Sequence, residues 1–460
     1  MKTKTANLEP SSFRDPDAFI FFFNNELYRQ INQRSRENFD FFLDSGLYQK
    51  LVEKKMLVSH EEVSLKLAIT ENAYKIIKPQ PIPFVSYPYE WCFSQLKDAA
   101  LLTLEIQEMA LAYNMSLKDA SAYNVQFIGY KPIFIDTLSF EKYKEGEPWI
   151  AYRQFCQHFL APLSLMAEKD PRLNFLLRDF IDGIPLDLTS RMLPWTAKLN
   201  FSLLTHIHLH ALNQKRMANK KINKNKYKMK KFQMMALISS LKSAIKKMRM
   251  KNFQTEWQEY YHFTNYSDES FEYKKLLFKN FLGKIKPKSV LDLGANEGIF
   301  SQIACQNGAY TIACDIDSLA VEKAYLEAKK SKNKLLLPLI IDLTNPSPSL
   351  GWENTERKSF SQRIKVDCVS ALALIHHLAI SNNLPFTLIS QYFASLGKYL
   401  IIEFVPKEDS NVQKLLQNRE DIFDEYSKEG FEKAFGKYFQ ILEQKKIKES
   451  KRVLYLMKRR

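Results

Sequence analysis

Short apolar runs recur through the last third of the chain: Ser289-Val290-Leu291, Tyr310-Thr311-Ile312-Ala313, Leu337 to Ile341, Val366 to Ala371 and Tyr399-Leu400-Ile401-Ile402. Runs this short, bounded by turn residues and acids, read as buried strands. Phe439-Gln440-Ile441-Leu442 and Arg452 to Met457 alternate and read as two further strands joined by a charged turn. Helical spacing covers Phe271 to Leu282, Ile299 to Ala304, Val412 to Arg419 and Lys428 to Ala434.

The first half reads differently. Phe19 to Phe23 and Leu27 to Ile31 flank Asn24-Asn25-Glu26, the pattern of a hairpin around an Asn turn. Helical spacing follows from Asn38 through Val52, then strand-like Lys66 to Ile69 and Ala73 to Ile77. Pro79, Pro81 and Pro83 interrupt the pattern before an amphipathic helix from about Trp91 to Tyr113. After a strand at Pro132 to Ile135, helical stretches run Ile150 to Met166, Leu173 to Ile181 and Leu203 to Leu212.

At 460 residues the chain exceeds one ordinary core. We expect an α+β domain over 1–214, a basic helical connector over 215–255 and an α/β domain over 256–460. The formal charge of +16 is concentrated in Lys215 to Lys251, with fourteen Lys and Arg and no acid. Such a block can bind phosphate backbones or acidic lipid. A solvated connector is the reading favoured over nucleic-acid binding. No apolar run approaches the roughly 20 residues of a membrane span. The start of the chain lacks the apolar stretch of a signal peptide. The five cysteines are scattered without C-x-x-C pairs, which suits a reducing cytoplasm.

Chemistry is densest at Asp292-Leu293-Gly294-Ala295-Asn296-Glu297-Gly298, where a strand meets a glycine turn and a helix start. Such a turn lets backbone N–H groups approach a ligand closely. The second strand ends at Asp315, 17 residues past Gly298, the third at Asp342 and the fifth at Glu403. This D-x-G-x-N-x-G turn with its spaced acids resembles motif I of the class I S-adenosylmethionine (SAM) methyltransferases. The resemblance implies a Rossmann-like, mostly parallel sheet with a terminal antiparallel hairpin. It also implies that Asp292, Gly294, Asn296 and Gly298 form the cofactor turn, that Asp315 binds the ribose and that Asp342 faces the adenine. Asn296 replaces the middle glycine often found there, and Asn tolerates positive φ. The alternative is an α/β domain of the same topology that binds no SAM.

An oxygen acceptor also requires a base. His376, His377 and Glu403 lie where strands four and five end, the edge at which open α/β sheets place their sites. Either histidine could instead be a helix-start residue. Trp257, Tyr260, Tyr261, Phe263 and Tyr266 form an aromatic cluster ahead of the first strand, either packing or a cover for the site.

In the first half, Asp119-x-x-x-x-Asn124 is followed by a strand ending in Asp136. This resembles the catalytic and metal loops of the kinase-like fold. The resemblance implies that Asp119 faces an acceptor hydroxyl, while Asn124 and Asp136 hold magnesium beside a nucleotide. There is no glycine-rich loop, Arg29 stands where a lysine is expected, and the His before the catalytic Asp is missing. The competing reading makes Asp119, Asn124 and Asp136 turn and cap residues. His206, His208 and His210 read as structural, since only the first and last share a helix face.

The Tyr87 to Ala99 run, the Asp119 loop and the Leu374 to Leu378 run resemble bacterial proteins grouped under the nodulation protein NoeA. The expectation is a SAM-dependent methyltransferase acting on an O or N nucleophile of a small molecule or glycan. The alternative is a non-catalytic SAM-binding scaffold with a relict kinase-like domain.

Overall fold

The computed structural model describes residues 6–212, 228–251, 267–417 and 420–460. The aromatic cluster from Trp257 to Tyr266, the lysines between 215 and 227, and Arg419 lie outside the described residues. The chain divides into two compact units: Met1–Phe253 with Ser349–Lys358, and Gln254–Pro348 with Ser359–Arg460.

The first unit opens on a five-stranded antiparallel sheet ordered β1-β2-β3-β5-β4. Its strands are β1 (Asn7–Leu8), β2 (Ala18–Phe23), β3 (Glu26–Asn32), β4 (His60–Val63) and β5 (Ala73–Pro79). Asn24 and Asn25 take φ of 54° and 63°, so the β2–β3 connection is the left-handed turn that matches strand twist. Ala18, Ile31 and Ile77 pack with Phe39 on one side of the sheet, while Phe21, Tyr28 and Ile76 cluster separately. The helical stretch after β3 breaks into Arg36–Asp44 and Leu47–Glu53 at Gly46, whose φ is 82°.

One expected strand differs. Leu65–Leu67 is a turn of 3₁₀ helix, and the edge strand is β4, which ends just before it at Val63. β4 reads His-Glu-Glu-Val, so charges that protect a sheet edge hide it from a search for apolar runs.

The Phe93–Ala112 helix follows, and its buried Leu96, Ala100, Leu104, Ile106 and Ala110 centre the rest of the unit. Two ribbons flank it: β6 (Met115–Leu117) with β9 (Phe140–Lys142), and β7 (Val125–Ile128) with β8 (Lys131–Phe134). The Lys231–Lys247 helix belongs to this unit and lies along Phe93–Ala112, where Lys242 reaches Glu108 at 2.6 Å. Ser349–Lys358 also belongs here, although it falls late in the sequence: Glu356 pairs with Arg14 at 3.1 Å and Lys358 with Glu9 at 2.6 Å. The three histidines are absorbed in packing. His206 meets the Tyr152 hydroxyl at 2.8 Å, His208 meets Ser190 at 2.7 Å, and His210 stacks on Tyr152.

The second unit is a seven-stranded sheet ordered β12-β11-β10-β13-β14-β16-β15. β10 (Ser289–Leu293), β11 (Tyr310–Asp315), β12 (Leu336–Ile340), β13 (Val366–Ala371) and β14 (Gly397–Phe404) are parallel. β15 (Phe439–Lys446) and β16 (Val453–Arg459) form the antiparallel end, with β16 inserted beside β14. Helices Asp268–Ile285, Ile299–Gln306, Ser318–Lys330 and Phe386–Leu396 accompany the parallel strands. Phe278, Phe281 and Leu282 of the first helix pack with Val290, Phe300, Cys368 and Ile401 to form its core. No helix among the described residues is long and apolar enough to cross a membrane.

Candidate functional site

β10 lies between β11 and β13, and the connections leave it in opposite directions. In open parallel sheets such a switch point opens a crevice for ligands, which here falls beyond the carboxyl ends of β10 and β13. The turn after β10 runs along its rim. Gly294 and Gly298 take φ of 69° and 80°, and Asn296 takes 47°, so the asparagine adopts the left-handed conformation expected of it. At Gly294 a β-carbon would meet Leu374 Cδ1 at 3.1 Å, which keeps the position to glycine.

The acids converge on this turn. The backbone N–H of Asn296 donates to Asp315 Oδ2 at 2.7 Å, and that of Asp317 donates to Oδ1 at 2.9 Å. Burial pushes the Asp315 carboxyl up to about 6. Asp342 is brought alongside because the Ile341 N–H donates to the Asp315 carbonyl at 2.8 Å. Its Oδ1 accepts from Thr344 N–H at 2.8 Å and from the Thr344 hydroxyl at 2.7 Å. Asp292 sits beneath the turn, accepting from the Ser301 hydroxyl at 2.6 Å, and burial raises it also to about 6. Asp292 thus pins the strand to the helix that follows the turn, while Asp315 and Asp342 edge the crevice. A positive-φ glycine turn, one carboxylate at the end of β11 and a second after β12 suit a ligand carrying a diol and a heteroaromatic amine.

The base candidates separate. His376 is fully buried, and neither ring nitrogen has a hydrogen-bond partner among the described residues. Burial holds it well below the usual histidine range. His377 is half-buried against it, with ring centroids 4.1 Å apart, and burial lowers it to about 4. Both rings are therefore neutral near pH 7. Glu403 cannot serve as the expected open base. Its Oε2 is 2.5 Å from Lys274 Nζ and accepts from Ala373 N–H at 2.9 Å, and its Oε1 faces Arg452 at 3.3 Å. Both carboxylate oxygens are therefore occupied by partners.

Lys274, Arg452 and Ala373 were not singled out from sequence. Lys274 did leave a signal, as a lone charge on the helix face that carries Phe271, Phe278 and Phe281. Ala373, with φ of 50°, left none.

In the first unit, Asp119, Asn124 and Asp136 do share one locality. Asn124 Nδ2 donates to Ser139 Oγ at 3.2 Å, and Ser139 Oγ donates to Asp136 Oδ2 at 2.5 Å. Asp119 is pushed up first by burial and then by the charge of Asp136, and is eased by a hydrogen bond with Asn124. The cation beside Asp136 is Arg29, which ion-pairs with it and reaches Asp15 at 2.9 Å. The magnesium expected at Asn124 and Asp136 thus meets a guanidinium already paired with the carboxylate. No cluster of metal-ligating side chains occurs among the described residues.

The sheet order, with its antiparallel strand inserted beside the last parallel one, and the glycine turn facing a carboxylate define a methyltransferase-like α/β fold. The chain is 35% identical to the nodulation protein NoeA of Rhizobium meliloti (strain 1021) over 462 residues, 97% of this chain and 95% of that one. It belongs to the NoeA family. No family model matches it. Among solved structures it is similar to magnesium protoporphyrin IX methyltransferase (ChlM) from Synechocystis PCC 6803 with bound SAM, at 17% identity and a TM-score of 0.31, covering 46% of this chain and 87% of that one. It is also similar to the bifunctional kinase-methyltransferase WbdD, at 14% identity and a TM-score of 0.30, covering 42% of this chain and 40% of that one.

Proposed function

We propose that the protein is a SAM-dependent methyltransferase acting on an oxygen or nitrogen nucleophile of a small molecule or glycan. The observation that supports this most is the contact of Asp315 with the Asn296 N–H, which sets a carboxylate against a left-handed glycine turn at the sheet's switch point. Bound there, SAM supplies a methyl group on a positively charged sulfur. Asp315 would accept from the ribose hydroxyls and Asp342 from the adenine amine, while the Gly294 to Gly298 backbone lies close to the cofactor. Methyl transfer is an in-line displacement, so the residues chiefly hold donor and acceptor in line and exclude water. His377 is the side chain we assign to proton removal, being neutral and half-buried beyond β13. Labelled SAM offered with panels of hydroxylated small molecules and oligosaccharides tests the reading. Turnover lost in His377→Ala supports it, and SAM binding without turnover on any acceptor returns the scaffold alternative.

For the first unit we propose a non-catalytic role. The pairing of Arg29 with Asp136 favours it, because a metal would have to displace a largely buried guanidinium. Calorimetry with magnesium and ATP on the full chain should register no binding, and magnesium-dependent binding would overturn the assignment.

A further inference from the structure

Glu403 lies near the end of β14 yet touches the turn that leaves β13. Ala373 adopts φ of 50°, a conformation that alanine pays for and glycine does not. An alanine side chain cannot hydrogen-bond to hold such a turn, so neighbours must fix it. The Ala373 N–H donates to Glu403 Oε2, and Leu374, next in the chain, packs tightly against Gly294, its Cδ1 3.1 Å from where a β-carbon there would sit. The left-handed residue therefore seats Leu374 against the cofactor turn.

Glu403 is itself immobilised. Lys274, 3% exposed, reaches it from the Asp268–Ile285 helix while lying over the Phe300 ring at 4.9 Å. Arg452 reaches its other oxygen and binds Asp409 through Nε at 2.7 Å and Nη2 at 3.0 Å. Two acids and two bases meet here among the described residues, and burial lowers the Lys274 ammonium from its usual range. A network retained only for packing would have no reason to spend a carboxylate oxygen on the N–H of a strained loop residue.

We propose that Glu403 is a positioning residue, fixed by Lys274 and by Arg452 with Asp409, which clamps the left-handed turn at Ala373 and so shapes the floor of the SAM site. The inference rests on the SAM-binding reading above for its ligand, but not for the clamp itself.

Four variants of the full chain test it, read by calorimetry with S-adenosylhomocysteine and by amide exchange over residues 372–378. Lys274→Met with Glu403→Leu removes one charge of each sign together with the acceptor for the Ala373 N–H. It should bind at least about tenfold more weakly and exchange about tenfold faster, the scale of releasing one strained turn. Lys274→Met with Glu403→Gln retains an acceptor and should stay within about threefold of the parent, since the same hydrogen bond persists. Adding Ala373→Gly to the Leu variant should restore most of the affinity, because glycine holds positive φ unaided. If the Leu variant does not fold, Ala373→Val decides: it keeps all four ions and should weaken binding through the turn alone. Equal affinity of the Leu and Gln variants, failure of Ala373→Gly to restore binding, or an unaffected Ala373→Val would each overturn the clamp. If the parent chain binds no S-adenosylhomocysteine, the SAM reading fails, and the exchange comparison alone decides whether Glu403 holds the turn.

Discussion

Asp315 and Asp292 are two aspartates raised to about the same value for different ends. Asp315 borders the crevice, so its protonation is a binding event. A ribose hydroxyl donates to the ionised carboxylate, and a proton on Asp315 removes that acceptor. SAM affinity should therefore be level above about pH 7 and fall roughly tenfold per pH unit once the pH drops below the raised value. Asp315→Ala should cost ~1–3 kcal/mol of binding and abolish this pH dependence, measured by calorimetry. Asp292 is enclosed, so its shift acts on folding. In the unfolded chain it ionises near pH 3.9. Its folded value lies higher, so its contribution to stability declines as pH rises between the two and is level beyond. Asp292→Asn keeps an acceptor for Ser301 and should gain up to ~3 kcal/mol at pH 7 and nothing near pH 4, read by denaturant unfolding.

Among the elements, the β2–β3 hairpin was legible because its turn needs two residues at positive φ and Asn supplies both. Asn25→Gly should stabilise the first unit by roughly 0.5 kcal/mol, as glycine adopts that φ with less strain. A null or negative change in the denaturation midpoint would place the turn's register in β2 and β3 instead. Arg29 joins β3 to the segment after β8 through Asp136, a connection across 107 residues that no local pattern foretells. Arg29→Met leaves a largely buried carboxylate unpaired and should cost ~3–5 kcal/mol, whereas adding Asp136→Leu should recover much of that loss. Chemical denaturation of the two single variants and the double variant checks the coupling. β4 escaped notice because its outward charges break the apolar run, although its pairing with β5 is regular.

The molecule has two compact units, and a ligand for one need not stabilise both. S-Adenosylhomocysteine at 100 times its dissociation constant should add about 2.7 kcal/mol to unfolding of the unit that contains β10 to β16. Scanning calorimetry should show that one transition move; displacement of both by equal amounts would mean the units unfold together. The lysine-rich stretch invites a second whole-molecule test. Bare phosphate contacts weaken steeply with salt, and the stretch has few aromatics for base stacking, so RNA retention should vanish by ~200 mM salt. Retention that persists there and is lost on neutralising Lys220 to Lys231 would establish a specific RNA-binding function.

The strand, turn and helix order of the second unit could be read from the chain because buried strands are apolar runs and a left-handed turn demands Gly or Asn at fixed places. The acids after β11 and β12 were equally legible, since a sheet delivers the ends of neighbouring strands to one edge. The fate of Glu403 was not. From sequence it is an acid at a strand end, the place of a base, and only packing sets Lys274 and Arg452 against it from residues 129 and 49 positions away. The same holds for Asp136, whose partner Arg29 replaces the expected metal, and for Ser349–Lys358, which compacts with the first unit. Local chemistry determined which residues could carry a charge or turn the chain. Long-range burial decided which of those charges were paired off and which were left facing the crevice.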